Sequence, residues 1–211
     1  MMKLNPLLSI MSFKELVSKR RSYRKILPIE VTSEIISEFV EIAKLAPSCD
    51  NNQPWRFVFV YDKKTLEAIH EVFDEQNYWI KTASLLIGIF SNPKLDCQIE
   101  ERNYYLFDTG IATAFMLLHA TELGLVAHPT SYYNEEKAKE IMSIPPEMEL
   151  ISIIAIGKRD DVSSIQLTPE QEKTELERPK RFSIQYLSYL NKYMGEYEEN
   201  KKRFAELLKK N

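Results

Sequence analysis

Glycine is scarce in this chain, with only five in 211 residues, at positions 88, 110, 124, 157 and 195. No two of them lie close together, whereas the dinucleotide-binding fingerprint and the P-loop both need clustered glycines so that backbone amides can approach phosphate groups. Both motifs are therefore excluded. If the chain binds a phosphorylated ligand, its side chains must do much of the holding.

Cysteine, net charge and long apolar runs are limited as well. The two cysteines, Cys49 and Cys97, have no metal-ligand spacing, and so low a content favours a reducing compartment over a secreted disulfide scaffold. A net charge of −3 argues against nucleic acid or an anionic membrane as the main partner. No apolar run reaches the roughly 18 residues of a membrane span, and Asn5 and Pro6 interrupt the apolar N-terminus. These features predict a cytoplasmic protein.

Hydrophobic periodicity and capping residues predict helices and strands in irregular alternation. A capping box at Ser12 and Glu15 begins a helix that runs to about Arg21. The longest predicted helix covers residues 104–123 and carries GIATAFMLLHA, which is apolar nearly all round and predicts burial on several sides. Further helices are predicted over residues 32–46, 63–73, 134–142, 183–193 and 197–209, and strands over residues 57–61, 85–90, 126–131 and 150–156. This order predicts an α+β fold with a mixed central β-sheet flanked by helices.

A polar segment follows the last predicted strand. Residues 159–181 are charged, contain Pro169 and Pro179, and show little periodicity, which predicts an extended arm. A long arm on a small domain indicates a partner subunit to wrap. The alternative is an arm that packs on its own subunit.

Two short segments are candidates for ligand binding. Residues 19–25, KRRSYRK, carry five cations in an acidic chain. They either offset the dipole at a helix C-terminus or form a phosphate site, since a hydroxyl among guanidinium groups suits phosphate. Residues 47–55, PSCDNNQPW, either form a stiff helix-to-strand loop or use amide and acid groups to bind the polar edge of a flat heterocycle. The residue types alone leave both pairs of alternatives open.

These segments, in this order, resemble the signatures of the nitroreductase family of flavin mononucleotide (FMN) enzymes. The family's first signature, Arg-Arg-Ser-x-Arg, is matched by Arg20, Arg21, Ser22 and Arg24. Its second, Pro-Ser-x-x-Asn-x-Gln-Pro-Trp, is matched in full by Pro47, Ser48, Asn51, Gln53, Pro54 and Trp55. The family's third signature is an Asp-x-Gly-x-Ala helix that ends in Gly-Leu, and it is matched by Asp108, Gly110, Ala112, Gly124 and Leu125. A later Ile-Pro pair is matched by Ile144 and Pro145, and a strand ending in Ile-Gly-Lys is matched by residues 156–158. The resemblance extends over residues 12–182, the expected FMN-binding domain, with residues 183–211 as a C-terminal helical extension.

The resemblance implies an FMN site at the interface of a homodimer. The first signature is expected to face solvent without ligand and to hold the phosphate, ribityl chain and pyrimidine edge of FMN. A basic pair in the arm, Lys180 and Arg181, is expected to complete the phosphate site. The segment from Ser48 to Gln53 is expected to reach the flavin of the second subunit. Further flavin contacts are assigned to Pro47, Gln76, Asn77, Pro129, Thr130 and Ser131.

The chain also departs from the family pattern. Relatives often carry Pro-x-x-Gly after the long helix, whereas this chain has Tyr132 at the glycine position, so that Tyr132 or Tyr133 is expected to narrow the acceptor cavity. Cys49, beside the expected pocket, either tunes the flavin or is a small filling residue, and the second interpretation is favoured. His70, His119 and His128 occur singly, so no metal site is predicted, and His119 is interpreted as a core residue.

The implied function is transfer of hydride from NADH or NADPH to a small conjugated acceptor, such as a nitroaromatic compound or a quinone, in a ping-pong cycle. The flavin would carry the reaction, so no side chain is assigned as catalytic. The alternative is a flavin-binding protein without turnover, acting as a sensor, a store or a subunit. Reductive dehalogenation and flavin fragmentation, which other branches of the family perform, rank lower because the chain shows no inserted lid.

Overall fold

The computed structural model of the protein describes residues 11–162, 165–193, 195, 198, 201–202 and 205. Two compact units are distinguished along the chain, Met1–Glu175 and Leu176–Asn211. The helices are α1 (Phe13–Lys19), α2 (Ser33–Ala43), α3 (Lys63–His70), α4 (Tyr105–Glu122), α5 (Glu135–Ile141), α6 (Pro169–Leu176) and α7 (Ile184–Leu187). The strands are β1 (Ile26–Leu27), β2 (Arg56–Val60), β3 (Leu85–Ser91), β4 (Gln98–Ile99), β5 (Arg102–Asn103), β6 (Leu125–Thr130) and β7 (Glu149–Arg159). The predicted α+β class is confirmed.

The long strand β7 organises the sheet of the first unit. It pairs with β3 and with β6, and its last two residues pair with β1, while β2 extends the sheet beyond β3. The β-branched run in LISIIAI explains why this segment forms the central strand. Every ladder is antiparallel, so the parallel pairs of a mixed sheet do not occur among the described residues.

The two faces of the sheet bury two apolar clusters. Because successive side chains of a strand point to opposite faces, Ile153 and Ile154 of β7 belong to different clusters. Residues of α3 and α5 pack in the first cluster, and residues of α2 and α4 pack in the second. Burying one large apolar side chain, such as the fully buried Phe39 of α2, stabilises the fold by roughly 1.5–3 kcal/mol. The sheet is therefore held between two helical layers.

Helix α4 buries only one of its faces in the first unit. The residues that it packs into the second cluster are Ala112, Met116 and Ala120. On another face Leu106 and Phe107 are 49% and 67% exposed, and Gly110 and Ala114 are exposed as well. The prediction of burial on several sides is therefore not met within one chain. Neither α4 nor any other helix in the described part of the chain is long and apolar enough to cross a membrane.

The segment predicted as an extended arm contains a helix, α6. Up to Glu175 this helix packs on its own chain: Gln171 Nε2 donates to the carbonyl oxygen of Gln76 (2.9 Å), and Lys25 forms an ion pair with Glu172 (2.9 Å). The prediction of an extended conformation is wrong for this part, because polar tertiary contacts rather than an apolar stripe fix the helix. The wrapping of a partner subunit stays a prediction. Helix α7 is shorter than the predicted 183–193. The helix predicted over residues 197–209 lies almost entirely outside the described residues.

Cys49 and Cys97 form a disulfide, with Cα atoms 6.0 Å apart. The interpretation of Cys49 as a filling residue is therefore wrong, and the cysteine content no longer supports a reducing compartment. The pairing joins positions 48 residues apart in the sequence, so it depends on tertiary structure that residue spacing alone does not show.

Candidate functional site

The loop Arg20–Lys25, called the cationic loop below, connects α1 to β1 and packs against α6. Arg21 Nη2 donates to the carbonyl oxygen of Thr174, and Arg24 Nη1 donates to Thr174 Oγ1 (3.1 Å). Arg20 Nη1 donates to Ser22 Oγ (3.2 Å). All residues of the loop are partly buried. The expectation of a solvent-facing cluster is therefore wrong, because α6 covers part of it.

Glu175, which is 3% exposed, fixes the backbone of the cationic loop. Its Oε1 accepts the backbone N–H of Arg24 (2.8 Å), and its Oε2 forms an ion pair with Arg159. The guanidinium of Arg159 also lies over the ring of Tyr23, 3.8 Å from the centroid. Burial lowers the pKa of Arg24, and the carboxylate of Glu175 opposes that effect. The sequence analysis missed Glu175 and Arg159, since neither lies in a recognisable motif.

A cleft of about 310 Å³ lies beside the cationic loop, at the C-terminal end of β6. Its lining residues are Arg24, Asn77, His128, Pro129, Thr130, Ser131, Tyr132 and Ser152. Five of the predicted cofactor-binding residues thus meet in one place, from three separate parts of the chain. Together they offer a guanidinium, a carboxamide and hydroxyl groups, which can bind a phosphate and the polar edge of a heterocycle.

His128 belongs to this cleft although the sequence analysis did not assign it. Its Nδ1 lies 3.0 Å from the carbonyl oxygen of Tyr23, which can only accept, so Nδ1 carries the proton in the neutral ring. The ring stacks on Trp79 with 4.4 Å between centroids. Burial lowers the pKa of His128 to about 4; the Tyr23 carbonyl opposes this, and Arg24 and Arg20 add to it. The imidazole is therefore neutral at pH 7. The sequence signal that could have identified His128 as a site residue was its position directly before Pro129, which had been assigned to the site.

The two neighbouring tyrosines have different surroundings. Tyr132 is 72% exposed and lines both this cleft and an adjoining one of about 400 Å³. Tyr133 turns inward: its hydroxyl donates to the carbonyl oxygen of Leu150 (2.6 Å), and its ring meets Phe73 edge-on. Burial raises the pKa of Tyr133. Tyr132 borders the 310 Å³ cleft, whereas Tyr133 lines only the adjoining one.

Gln76 and Asn77, both assigned to flavin contact, are placed differently. Asn77 is buried, lines the cleft and donates from Nδ2 to the carbonyl oxygen of Tyr132 (3.2 Å). The side chain of Gln76 is exposed and does not line the cleft. Of this pair, the structure brings only Asn77 to the other candidate residues.

Residues 47–55, called the polar turn below, form a second site that does not line the cleft. A 3₁₀ turn over Cys49–Asn51 is held by the Cys49 N–H, which donates to Asp108 Oδ2 (2.7 Å), and Gln53 N donates to Ser48 Oγ (2.9 Å). Pro47 is exposed, whereas Pro54 and Trp55 are buried. Within one chain, the two signature segments therefore do not meet at this cleft.

Lys180 and Arg181 lie in the second unit and are exposed. Their assignment to the phosphate site stays a prediction.

The donor groups of the cleft fit FMN. Phosphate is best bound by guanidinium groups, and the flavin ring by amide and backbone groups at its polar edge. The cleft offers Arg24 for the first and Asn77 for the second, and Thr130 and Ser131 add hydroxyl groups to its lining. The site therefore suits an anionic group joined to a heterocycle.

Comparison with known proteins gives the family. The Nitroreductase family profile matches residues 17–85 and 73–158. A relative from Archaeoglobus fulgidus, provisionally named an NADH dehydrogenase/NAD(P)H nitroreductase, is 29% identical over 173 residues, which cover 80% of this chain and 92% of the relative. Iodotyrosine deiodinase 1 from Rattus norvegicus is 28% identical over 174 residues, which cover 69% of this chain and 61% of that protein. A solved structure described as an oxidoreductase containing FMN has a TM-score of 0.76 at 25% identity, over 93% of this chain and 100% of its own.

The fold is thus that of the nitroreductase-family oxidoreductases. The chain belongs to the nitroreductase family. The predicted nitroreductase-like fold is confirmed. Family membership supports NAD(P)H-dependent oxidoreduction in general terms.

Proposed function

We propose that the chain is an FMN-dependent oxidoreductase that transfers hydride from NADH or NADPH to a small conjugated acceptor, a nitroaromatic compound or a quinone, in a ping-pong cycle. The observation that carries this proposal is the cleft in which Arg24, Asn77 and Thr130 come together. The solved FMN-containing oxidoreductase of similar fold supports it. When bound, FMN supplies the electron transfer between nicotinamide and acceptor.

The residues of the chain bind and orient the cofactor. Arg20 and Arg24 bind the phosphate and the pyrimidine edge, where a cation stabilises negative charge that develops during reduction. Asn77 holds the Tyr132 carbonyl and thereby the wall of the cleft. Lys180 and Arg181 complete the phosphate site, and the polar turn of a second subunit closes the flavin site. The cytoplasmic location remains a proposal, and the disulfide removes the support that the cysteine content gave it.

Support for a homodimer comes from helix α4. Its face with Leu106, Phe107, Gly110 and Ala114 is apolar and exposed in the single chain. An added Cβ at Gly110 would meet nothing within 4 Å, so another helix could approach closely there. Pairing of two such faces would bury apolar surface, at roughly 25 cal/mol per Å² of area removed from water. We therefore propose that α4 lies at the dimer interface.

The test of the reaction is anaerobic reduction of the FMN-reconstituted protein. NADH or NADPH should abolish the visible absorbance of oxidised flavin, and nitrofurazone or menadione should restore it. One relative is a deiodinase, so an iodinated tyrosine is tested as a further acceptor. A protein that binds FMN but is indifferent to both nicotinamides would contradict the enzyme and favour a flavin-binding protein without turnover.

The phosphate assignment has its own pair of variants. A hydrogen bond to a charged group contributes about 1.5–3 kcal/mol, so Arg24→Gln should raise the FMN dissociation constant about ten- to hundredfold. Thr174→Val is the matched control, because it removes the hydrogen bond of Arg24 to α6 while the cation stays. This control should bind FMN as the wild type does. If Arg24→Gln also binds FMN as tightly as the wild type, the assignment is wrong.

A further inference from the structure

The disulfide joins the polar turn to the segment before α4. Cys49 begins the 3₁₀ turn at Cys49–Asn51, and Cys97 lies between a 3₁₀ turn at Pro93–Leu95 and β4. Both cysteines are only partly buried. The bond is therefore near the surface, where an external thiol can approach it.

The polar turn has an unfavourable backbone conformation. Asp50, Asn51 and Gln53 have φ angles of 48°, 58° and 49°, in the left-handed region, which Asp and Asn adopt more readily than other side-chain-bearing residues and which is uncommon for Gln. Such conformations persist only where the surroundings impose them. Here the restraints include the disulfide, the hydrogen bond from the backbone N–H of Cys49 to Asp108, and the hydrogen bond from the backbone N–H of Gln53 to Ser48. Loss of one restraint should therefore shift the turn toward other conformations.

Two acidic side chains, Asp108 and Asp96, lie next to each other beneath the turn. Burial raises the pKa of Asp108; the hydrogen bond from the Cys49 N–H opposes this, and the carboxyl group of Asp96 raises the pKa further. A raised pKa favours a protonated Asp108 that can hydrogen-bond to Asp96, so this pair does not by itself drive the turn open. Release of the turn therefore depends on the disulfide, the two hydrogen bonds and the left-handed backbone.

We propose that Cys49–Cys97 is a reversible thiol–disulfide exchange site whose reduction by a dithiol releases the polar turn and weakens FMN binding. One thiolate of the dithiol attacks a cystine sulfur and displaces the other cysteine as a thiolate. The second thiolate of the dithiol then attacks the mixed disulfide. Two electrons pass from the dithiol to the cystine, which yields two cysteine thiols and an oxidised cyclic dithiol. Only the effect on FMN rests on the proposed function.

Amide hydrogen exchange tests release of the turn without any cofactor. In the oxidised wild type the Cys49 amide is hydrogen-bonded to Asp108. Dithiothreitol should accelerate exchange in residues 49–53 about tenfold or more, as expected for local opening, while exchange in β7 stays unchanged. The variant Cys49→Ser/Cys97→Ser should exchange rapidly with or without dithiothreitol. If reduced wild type and the variant retain the oxidised exchange rates, the turn is held by other contacts and the proposal is overturned.

FMN titration tests the functional consequence. If the reduced turn holds its binding conformation about one-tenth of the time, the apparent dissociation constant rises about tenfold. Wild type should show this rise with dithiothreitol and recover on reoxidation, and the double serine variant should bind weakly in both conditions. Equal affinity of oxidised and reduced wild type would overturn the link to FMN. Absence of FMN binding in the oxidised wild type would instead contradict the proposed function, while the exchange result would still decide on the release of the turn.

Discussion

Acidification from pH 7 to pH 5 should lower the free energy of unfolding by about 2 kcal/mol through His128 alone. In the folded chain the pKa of this imidazole is about 4, because the ring is buried and, to a lesser extent, because Arg24 and Arg20 lie nearby. In the unfolded chain the pKa is about 6.5. Between these values the unfolded state binds a proton that the folded state does not.

The free energy of unfolding falls with acidification because of that difference in proton binding. A group whose folded pKa is lowered contributes stability that is complete above about pH 6.5 and is lost as the pH falls toward about 4. Over the whole interval the loss is about 3 kcal/mol, at about 1.4 kcal/mol per pH unit. Below about pH 4 both states carry the proton, so His128 causes no further loss.

Urea unfolding at a series of pH values between 7 and 4 measures the effect. Carboxylates titrate over part of this range, so the comparison is made with His128→Phe, which keeps an aromatic ring on Trp79 but has no proton to bind. The variant loses the hydrogen bond to Tyr23 and should be less stable at pH 7. Its stability should nevertheless fall less steeply with acidification. Parallel curves for wild type and variant would refute the assigned protonation of His128.

Three further predictions concern the dimer and the fold. Phe107→Glu should shift the protein toward monomers in sedimentation, whereas Val162→Glu, at a position 93% exposed, should not; equal behaviour would contradict the α4 interface. Glu175→Ala should lower the free energy of unfolding in urea by roughly 1–3 kcal/mol, because the Arg24 N–H loses its acceptor and Arg159 loses its buried partner but keeps its ion pair with Asp161; a loss below about 0.5 kcal/mol would argue against that role. Gly157→Ala should lower it by roughly 1–3 kcal/mol, since the new Cβ would lie 2.8 Å from the Leu27 carbonyl oxygen; unchanged stability would show that β1 can shift.

The sequence predicted the elements whose stability comes from apolar burial. Strand β7 and helix α4 carry their apolar residues at the spacing of the structure they form. Helix α4 was predicted to within one residue at each end, whereas the last three residues of β7 were missed. Helix α6 was missed because its sequence, PEQEKTEL, has no apolar stripe. What holds α6 is a set of contacts to residues about 150 positions earlier, such as that of Thr174 with Arg24, and no local pattern contains that information.

In the candidate site, too, local patterns were predictable and tertiary contacts were not. The first signature is a sequence motif, whereas Asn77 and the residues after His128 were expected from the resemblance to the family; Arg24, Asn77 and Thr130 meet in the cleft. The disulfide and the left-handed backbone at Asp50 could not be predicted, because both depend on what the tertiary fold brings next to the polar turn. Glu175 was missed since its neighbours along the chain give no reason to expect its burial.

The choice between helix capping and phosphate binding for the five cations can now be argued from contacts. Helix α1 ends at Lys19, so only that cation lies in its last turn, and the arginines that follow make their contacts elsewhere. Arg21 contacts carbonyl groups of α6, so it has a structural role. Arg24 is half-buried and lines the cleft, while the carboxylate of Glu175 binds its backbone N–H rather than its guanidinium. A guanidinium has five N–H donors, and partial burial of this one costs more than the Glu175 carboxylate offsets, since the pKa of Arg24 is lowered on balance. An anionic ligand in the cleft would offset that cost, and this is the physical reason for expecting a phosphate group beside Arg24.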